Sequence, residues 1–253
     1  MKILFVGDVH NHKYIFDDIK RLDTRYNFDR IIFIGDYVDD WNTTNHQSLE
    51  SLDIIFKLKD ENPDKYTFLI GNHELSYLGY KCSGHQYELE DIMELKLKEH
   101  IDYFDLVTSV NCDGNIYICS HAGFTNAFIE ELLKSDEKYK NDTKFYDYNL
   151  YYKLVNMNKD KLNNLEPFSH CSYLRGGLDE FSSCLWCDIK EHSYFSMQVP
   201  LIPHQIVGHT PVKHIIENNG IYFIDTHSTY QDGTEYGDKS YLMWNENRFE
   251  VVK

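Results

Sequence analysis

The chain has 253 residues, of which 42% are hydrophobic and 15% aromatic, so it is long enough and apolar enough to bury a globular core. Its formal net charge of -16 argues against extended nucleic-acid binding, because proteins that bind nucleic-acid backbones carry a basic face. No apolar run approaches the ~20 residues of a membrane span, and no signal-peptide pattern precedes the first apolar run, so we expect a cytoplasmic protein with no membrane partner.

The first half of the chain alternates between two kinds of segment. Apolar runs predict buried strands over 3–6, 30–35 and 66–71. Between them, apolar residues at helical spacing predict helices over 12–26 and 46–60. This β-α-β order favours parallel strands and therefore an α/β architecture.

The second half of the chain predicts a helix over 86–100, with Ile92 and Met93 facing inward. Strand-like runs then follow at 103–110, 115–120, 205–209, 213–217, 221–225, 240–244 and 248–252. We expect the last four runs to form an antiparallel second sheet that closes a sandwich. The whole of 1–253 is predicted to be a single domain, with 135–203 as a cap-like insertion over the mouth of the site.

Five of the predicted strands end in residues that bind metals well. The strand ends carry Asp8 with His10, Asp36, Asn72, His121 and His209, and a glycine precedes four of the five. Ligands bind at the carboxyl ends of strands in open α/β sheets, so we expect these side chains to converge. Oxygen and imidazole ligands together suit a divalent ion such as manganese, iron or zinc.

The residue types predict two metal ions bridged by one carboxylate. Asp36 is the predicted bridge, because its two oxygens can face two cations. Asp8 and His10 would complete the shell of one metal, and the shell of the other would contain Asn72, His121 and His209. Two cations at roughly 4 Å can hold a hydroxide nucleophile and clamp phosphoryl oxygens for in-line displacement.

A general acid is predicted next to these ligands. His73 directly follows Asn72, so its side chain should face the same cavity and protonate a leaving-group oxygen. Its imidazole needs an orienting partner, and Asp39 is the carboxylate that we expect to supply it.

The motifs also resemble those of a known family. Gly-Asp-x-His, Gly-Asp-x-Val-Asp, Gly-Asn-His-Glu, His-Ala-Gly and Gly-His-Thr occur in this order over residues 7–210. The set resembles the calcineurin-like metallophosphoesterases, in particular the phosphoprotein-phosphatase branch with its bacterial and bacteriophage members. The resemblance implies a sandwich of two mixed β-sheets flanked by helices and a centre of two divalent metals. It also implies that the metal ligands, the general acid and the carboxylate that orients the acid are the residues named above.

The chain departs from this family at one position. The family commonly has an arginine after its second Asp motif, whereas this chain has Asp40 followed by Trp41. The missing arginine normally contacts the phosphate, and an aspartate in its place should repel a phosphomonoester dianion. Arg175 lies in the interval where the family often places a second phosphate-binding arginine, and it is the predicted substrate-binding residue.

These features leave several functions open. The first is a phosphomonoesterase acting on phosphoserine, phosphothreonine or phosphotyrosine, with a phosphorylated protein as partner. The second is a phosphodiesterase or nucleotide pyrophosphohydrolase of the diadenosine-tetraphosphatase type, which Asp40 favours because a diester carries less charge. A non-catalytic metal-bound scaffold is the third, and a structural zinc site using Cys184 and Cys187 is the fourth.

Overall fold

The computed structural model describes residues 1–80, 85–135, 165–195 and 201–253. Its strands are β1 (Lys2–Val6), β2 (Arg30–Phe33), β3 (Tyr66–Leu69), β4 (Phe104–Asp105), β5 (Val107–Cys112), β6 (Asn115–Ser120), β7 (Gln205–Val207), β8 (Ile216–Asn218), β9 (Ile221–Phe223), β10 (Tyr241–Asn245) and β11 (Arg248–Val252). Its helices are α1 (Tyr14–Tyr26), α2 (Asn45–Glu61), α3 (Asn72–Tyr77), α4 (Glu90–Glu99), α5 (Asn126–Ser135) and α6 (Ile189–Phe195).

The first sheet contains the predicted β-α-β units. Its strand order is β11-β10-β1-β2-β3-β4, and β1, β2, β3 and β4 are parallel neighbours. Helices α1 and α2 connect β1 to β2 and β2 to β3, as crossover helices do between parallel strands. The predicted α/β architecture is therefore confirmed.

The second sheet is not the antiparallel sheet that the sequence predicts. Its strand order is β5-β6-β7-β9-β8, and β6, β7 and β9 are parallel, so the sheet is mixed instead of antiparallel. The last two strands do not belong to it: β10 pairs antiparallel with β1, and β11 pairs with β10. This pairing covers the backbone edge of β1, which would otherwise expose unpaired N–H and C=O groups.

The two sheets pack face to face with helices on the outside. Within β1, Leu4 and Val6 belong to the core cluster that includes Ile15 and Ile19 of α1. Their neighbours Ile3 and Phe5 belong to a second cluster, shared with residues of the other sheet. Because successive side chains of a strand point to opposite faces, a strand buried on both faces must be continuously apolar.

Helix α4 is shorter than predicted and buries a narrower stripe. It begins at Glu90, after Leu89 adopts a left-handed conformation with φ 58°. Met93 and Leu97, four residues apart, are buried, but Ile92 is 51% exposed. The prediction that Ile92 faces inward is wrong, because only one face of this helix contacts the core.

About half of the predicted cap falls outside the described residues. Within 135–203, the stretches 136–164 and 196–200 are not described, and the remainder contains short 3-10 turns and α6. The cap therefore stays a prediction. In the described ranges, none of the helices combines the length and apolarity needed to cross a membrane.

Candidate metal centre

The predicted site residues occupy the loops that follow five strands of the two sheets. Asp8 and His10 follow β1, and Asp36 and Asp39 follow β2. The first two residues of α3, directly after β3, are Asn72 and His73; His121 follows β6 and His209 follows β7. The carboxyl ends of strands from both sheets thus deliver polar side chains to one region.

The glycines of the motifs permit close approach between these loops. A Cβ atom at Gly71 would lie 2.1 Å from Asp36 Oδ1, and a Cβ atom at Gly208 would lie 2.1 Å from Asp8 Oδ1. Any side chain at either position would collide with a carboxylate, which comes from the neighbouring strand's loop at Gly71 and from a loop of the other sheet at Gly208. The glycine before each polar residue therefore reflects packing at the site as well as turning of the chain.

Backbone strain is present at the same loops. His10, Asp36, Asp39 and His209 all have positive φ angles, between 43° and 63°. Residues other than glycine rarely adopt this left-handed conformation, and such strain clusters at functional sites. The local conformation is held because the surrounding backbone is hydrogen-bonded: the N–H groups of Val9 and His10 both donate to the Asp36 carbonyl.

Asp36 lies between the two predicted groups of ligands. Its Oδ2 atom is 3.3 Å from His121 Nε2 and 3.9 Å from His10 Nε2. On one side, His121 Nε2 is also 2.9 Å from Asn72 Oδ1 and 3.2 Å from His209 Nδ1. On the other side, Asp8 Oδ2 is 3.8 Å from His10 Nε2. The structure brings all six residues together around the carboxylate that we expected to bridge.

Two groups in the described chain have ligand atoms within 4.8 Å of one another, and both include Asp36. One consists of Asp36, His121 and His209; the other consists of Asp36, His10 and His73. The second group contains His73, which the sequence assigned to proton transfer. The geometry alone therefore allows His73 to be a metal ligand or a proton donor.

The charge state of the buried cluster fits divalent cations. Burial lowers the pKa of His121, but the charge and hydrogen bond of Asp36 raise it more, to about 9. The pKa of His10 shifts for similar reasons: burial lowers it, but the charges of Asp36 and Asp8 raise it more, to about 9. Without a cation, the carboxylates recruit protons onto these imidazoles. A bound metal ion would replace those protons and use the same lone pairs.

His73 and Asp39, the predicted acid and its partner, lie next to each other. His73 Nδ1 lies 3.4 Å from Asp39 Oδ2, and the backbone N–H of His73 donates to Asp36 Oδ1 at 3.0 Å. The carbonyl of Asp39 also lies 2.7 Å from His10 Nδ1, so this residue contacts both the acid and a candidate ligand.

These side chains line a cavity of about 380 Å³ that also contains Arg175 and Trp186. Arg175 Nε is 3.0 Å from Asp188 Oδ2, and its Nη2 donates to Thr210 Oγ1 at 2.6 Å and to the His209 carbonyl at 3.3 Å. The guanidinium is therefore held in place beside a predicted ligand.

Asp40 lines the same cavity, but its carboxylate is largely engaged. It accepts a hydrogen bond from Thr229 Oγ1 at 2.9 Å and one from the Trp41 N–H at 2.8 Å. His12 Nε2 lies 3.4 Å away, and burial lowers the pKa of this histidine, which disfavours its charged form. The position of the missing arginine is thus occupied by an anion that joins two loops.

Sequence reasoning missed Glu74 and Asp225. Glu74 is fully buried and accepts hydrogen bonds from the backbone N–H groups of Gly71, Tyr37 and Asp36 at 2.9, 2.7 and 3.1 Å. Burial and the charge of Asp36 raise its pKa to about 7. Asp225 is also fully buried, and after burial itself it is the largest cause of the raised pKa of Asp8. The signal for Asp225 was available, since it follows the β9 run as the other carboxylates follow theirs.

The cysteine pair shows no sign of a metal site. Cys184 and Cys187 are free and buried, and burial raises the pKa of both thiols. Neither cysteine belongs to a group of potential ligands in the described ranges. Because metals bind the thiolate, a raised pKa disfavours ligation.

Comparison with known sequences connects the chain to one family. A family model described as calcineurin-like phosphoesterase matches residues 1–213. The serine/threonine-protein phosphatase ppe1 of Schizosaccharomyces pombe is 29% identical over 125 residues, which are 47% of this chain and 38% of that protein. A second protein of that organism, whose name assigns it provisionally to the serine/threonine-protein phosphatases, is 30% identical over 145 residues, or 53% and 43% of the two chains. The chain spans less than half the length of these curated relatives.

Solved structures show the same fold. A cold-active protein-tyrosine phosphatase of a psychrophilic Shewanella species superposes with a TM-score of 0.58 and 18% identity, covering 99% of this chain and 77% of its own. A protein serine/threonine phosphatase of Saccharomyces cerevisiae gives a TM-score of 0.53 and 13% identity, with 100% and 80% covered. At such identities the likeness concerns the architecture alone.

Proposed function

The chain belongs to the calcineurin-like phosphoesterase family, and from this premise we propose that it is a metal-dependent hydrolase of phosphomonoesters. The observation that carries the proposal is the shared position of Asp36 between two groups of ligand atoms, next to the His73–Asp39 pair. A phosphoprotein is the proposed substrate, since the relatives from S. pombe are named as protein phosphatases.

Each residue has a proposed part in the reaction. Asp8, His10 and Asp36 would hold one divalent ion, and Asp36 would share the second with Asn72, His121 and His209. Manganese is the proposed metal, because carboxylate and amide oxygens suit it; iron and zinc are the alternatives, because imidazoles suit them. When bound, two such ions supply Lewis-acid charge stabilisation and lower the pKa of a coordinated water. His73, oriented by Asp39, would donate a proton to the departing oxygen.

The charge of the cavity supports a single phosphoryl group as the substrate's reacting end. Among the described residues that line the cavity, Arg175 is the one permanent cation, whereas Asp36, Asp39 and Asp40 are anions. A polyphosphate chain brings several negative charges, which these carboxylates would repel. A guanidinium does match the geometry of two phosphoryl oxygens.

A phosphodiesterase is the second candidate, and Asp40 is the observation that favours it. The Asp40 carboxylate lines the cavity at the position where the family commonly has an arginine. A diester carries one charge fewer than a monoester dianion at the scissile phosphate, so repulsion from Asp40 would penalise it less.

Initial rates on p-nitrophenyl phosphate and bis-p-nitrophenyl phosphate test the proposal. We expect manganese-dependent turnover that favours the monoester and disappears in chelator, with activity restored when manganese is added back. Preference for the diester would move the assignment to the second candidate. Metal binding without turnover of either ester, or of a phosphoserine peptide, would contradict both.

Replacement of Arg175 tests the proposed phosphate contact. Arg175→Gln is expected to raise KM for a phosphoserine peptide and the inhibition constant of inorganic phosphate by about 10-fold or more, because hydrogen bonds to charged groups contribute about 1.5–3 kcal/mol. Arg175→Lys should recover only part of the loss, since an ammonium group cannot reproduce the planar fork.

Arg248→Gln is the matched control, because Arg248 pairs with Glu250 on the protein surface and lies outside the cavity. It should leave both constants at wild-type values. An unchanged phosphate inhibition constant in Arg175→Gln would show that this side chain does not contact the substrate.

A further inference from the structure

Tyr77 contacts the carboxylate of the proposed acid pair from its buried side. Its hydroxyl donates to Asp39 Oδ1 at 2.6 Å, while the other carboxylate oxygen, Oδ2, faces His73 Nδ1 at 3.4 Å. Each oxygen of Asp39 therefore has its own partner. A carboxylate held at both oxygens cannot rotate without losing one of these contacts.

The fold places Tyr77 and His73 on the same side of one short helix. They are four residues apart in α3, and side chains at this spacing are neighbours on a helix surface. Both can thus contact Asp39, which comes from the loop after β2. The backbone of Asp39 is itself anchored, since its N–H donates to Ser48 Oγ at 3.2 Å.

Tyr77 is suited to donate in this position. The side chain is 2% exposed, and its oxygen accepts a hydrogen bond from the Gln86 N–H at 3.3 Å. Burial and the charge of Asp39 raise the pKa of the phenol, which keeps its proton. Asn45 Oδ1 lies at 3.2 Å, but the single phenolic hydrogen favours the nearer, charged acceptor.

We propose that Tyr77 is a positioning residue for the general acid: its hydroxyl holds Asp39 in the orientation that directs His73 at the leaving group. The inference rests on the proposed phosphoesterase function. Tyr77 touches neither the substrate nor the candidate metal ligands in this role, and it acts only through Asp39. Its loss should therefore affect proton donation to the leaving group and spare phosphate binding.

The test compares two leaving groups in the manganese-loaded protein. p-Nitrophenolate departs readily without a proton, whereas the phenolate of phenyl phosphate needs one. Tyr77→Phe should lower kcat on phenyl phosphate by about 10-fold and kcat on p-nitrophenyl phosphate by less than about 2-fold. The expected loss on phenyl phosphate is a part of the 10²–10⁴-fold rate increase that general acids contribute. KM, metal content and the thermal unfolding midpoint should stay near wild-type values.

Tyr241→Phe is the matched control, because Tyr241 is also buried and donates to a carboxylate, Asp18 Oδ2, at 3.2 Å. It should not change the ratio of the two rates. A double variant supplies a second measurement: if Tyr77 acts through Asp39, then adding Tyr77→Phe to Asp39→Asn should cost nothing further on phenyl phosphate.

Two results would overturn the inference while leaving the proposed function intact: an equal fall on both substrates, or additive losses in the double variant. Wild-type protein that turns over neither ester in manganese would overturn the proposed function itself, and the positioning role with it.

Discussion

Asp36→Asn is expected to reduce turnover of p-nitrophenyl phosphate by at least about 10³-fold, since charge stabilisation by bound metal contributes several kcal/mol. The amide keeps the size of the side chain and one oxygen to accept the His73 N–H, so the fold should persist. It removes the negative charge that lies near His10 and His121. Metal analysis should show fewer than two ions per chain.

Asp23→Asn provides the comparison. Asp23 is a carboxylate outside the cavity that accepts from Lys65 Nζ at 2.7 and 2.8 Å. This variant should keep wild-type activity and metal content. If Asp36→Asn binds two manganese ions with unchanged affinity, the bridging assignment is wrong.

His73→Asn is expected to lower kcat on phenyl phosphate by about 10²–10⁴-fold, the usual contribution of a general acid, and to affect p-nitrophenyl phosphate much less. Metal content decides between the two roles that the geometry allows for this residue. A proton donor can be removed without loss of metal, whereas a ligand cannot. We expect two metal ions per chain in the variant.

A surface pair serves as the control for this experiment. His214 Nδ1 lies 3.0 Å from Asp238 Oδ2, a histidine–aspartate contact that is outside the cavity. His214→Asn should match the wild type on both substrates. Loss of metal in His73→Asn, together with equal losses on both substrates, would reassign His73 as a ligand.

The short motifs of the candidate site have a structural explanation. Each motif combines an apolar run, a turn and a polar residue, and all three parts depend on neighbouring positions in the chain. Parallel strands bring such ends to one edge of a sheet. Asp8 and Asp36 could therefore be predicted to converge without knowledge of the tertiary structure, and both carboxylates do lie within 3.9 Å of His10 Nε2.

The spacing of apolar residues predicted the structure less well where the outcome depends on which element a helix or strand packs against. Ile92 has the spacing of a core residue, yet α4 contacts the core along Met93 and Leu97 alone. Likewise, the runs that form β10 and β11 are typical strands, but nothing local indicates that they pair with β1. Strand pairing depends on which edge remains free after the rest of the sheet has formed.

The sequence by itself determined the α/β class, the strand ends and the polar residues they carry, because these follow from local spacing of apolar and polar side chains. Only the tertiary structure decided what surrounds those residues. Tyr77 reaches Asp39 across 38 positions, Arg175 reaches Thr210 across 35, and Thr229 reaches Asp40 across 189. Such contacts depend on how helices and loops pack, and packing depends on shape complementarity over the whole core.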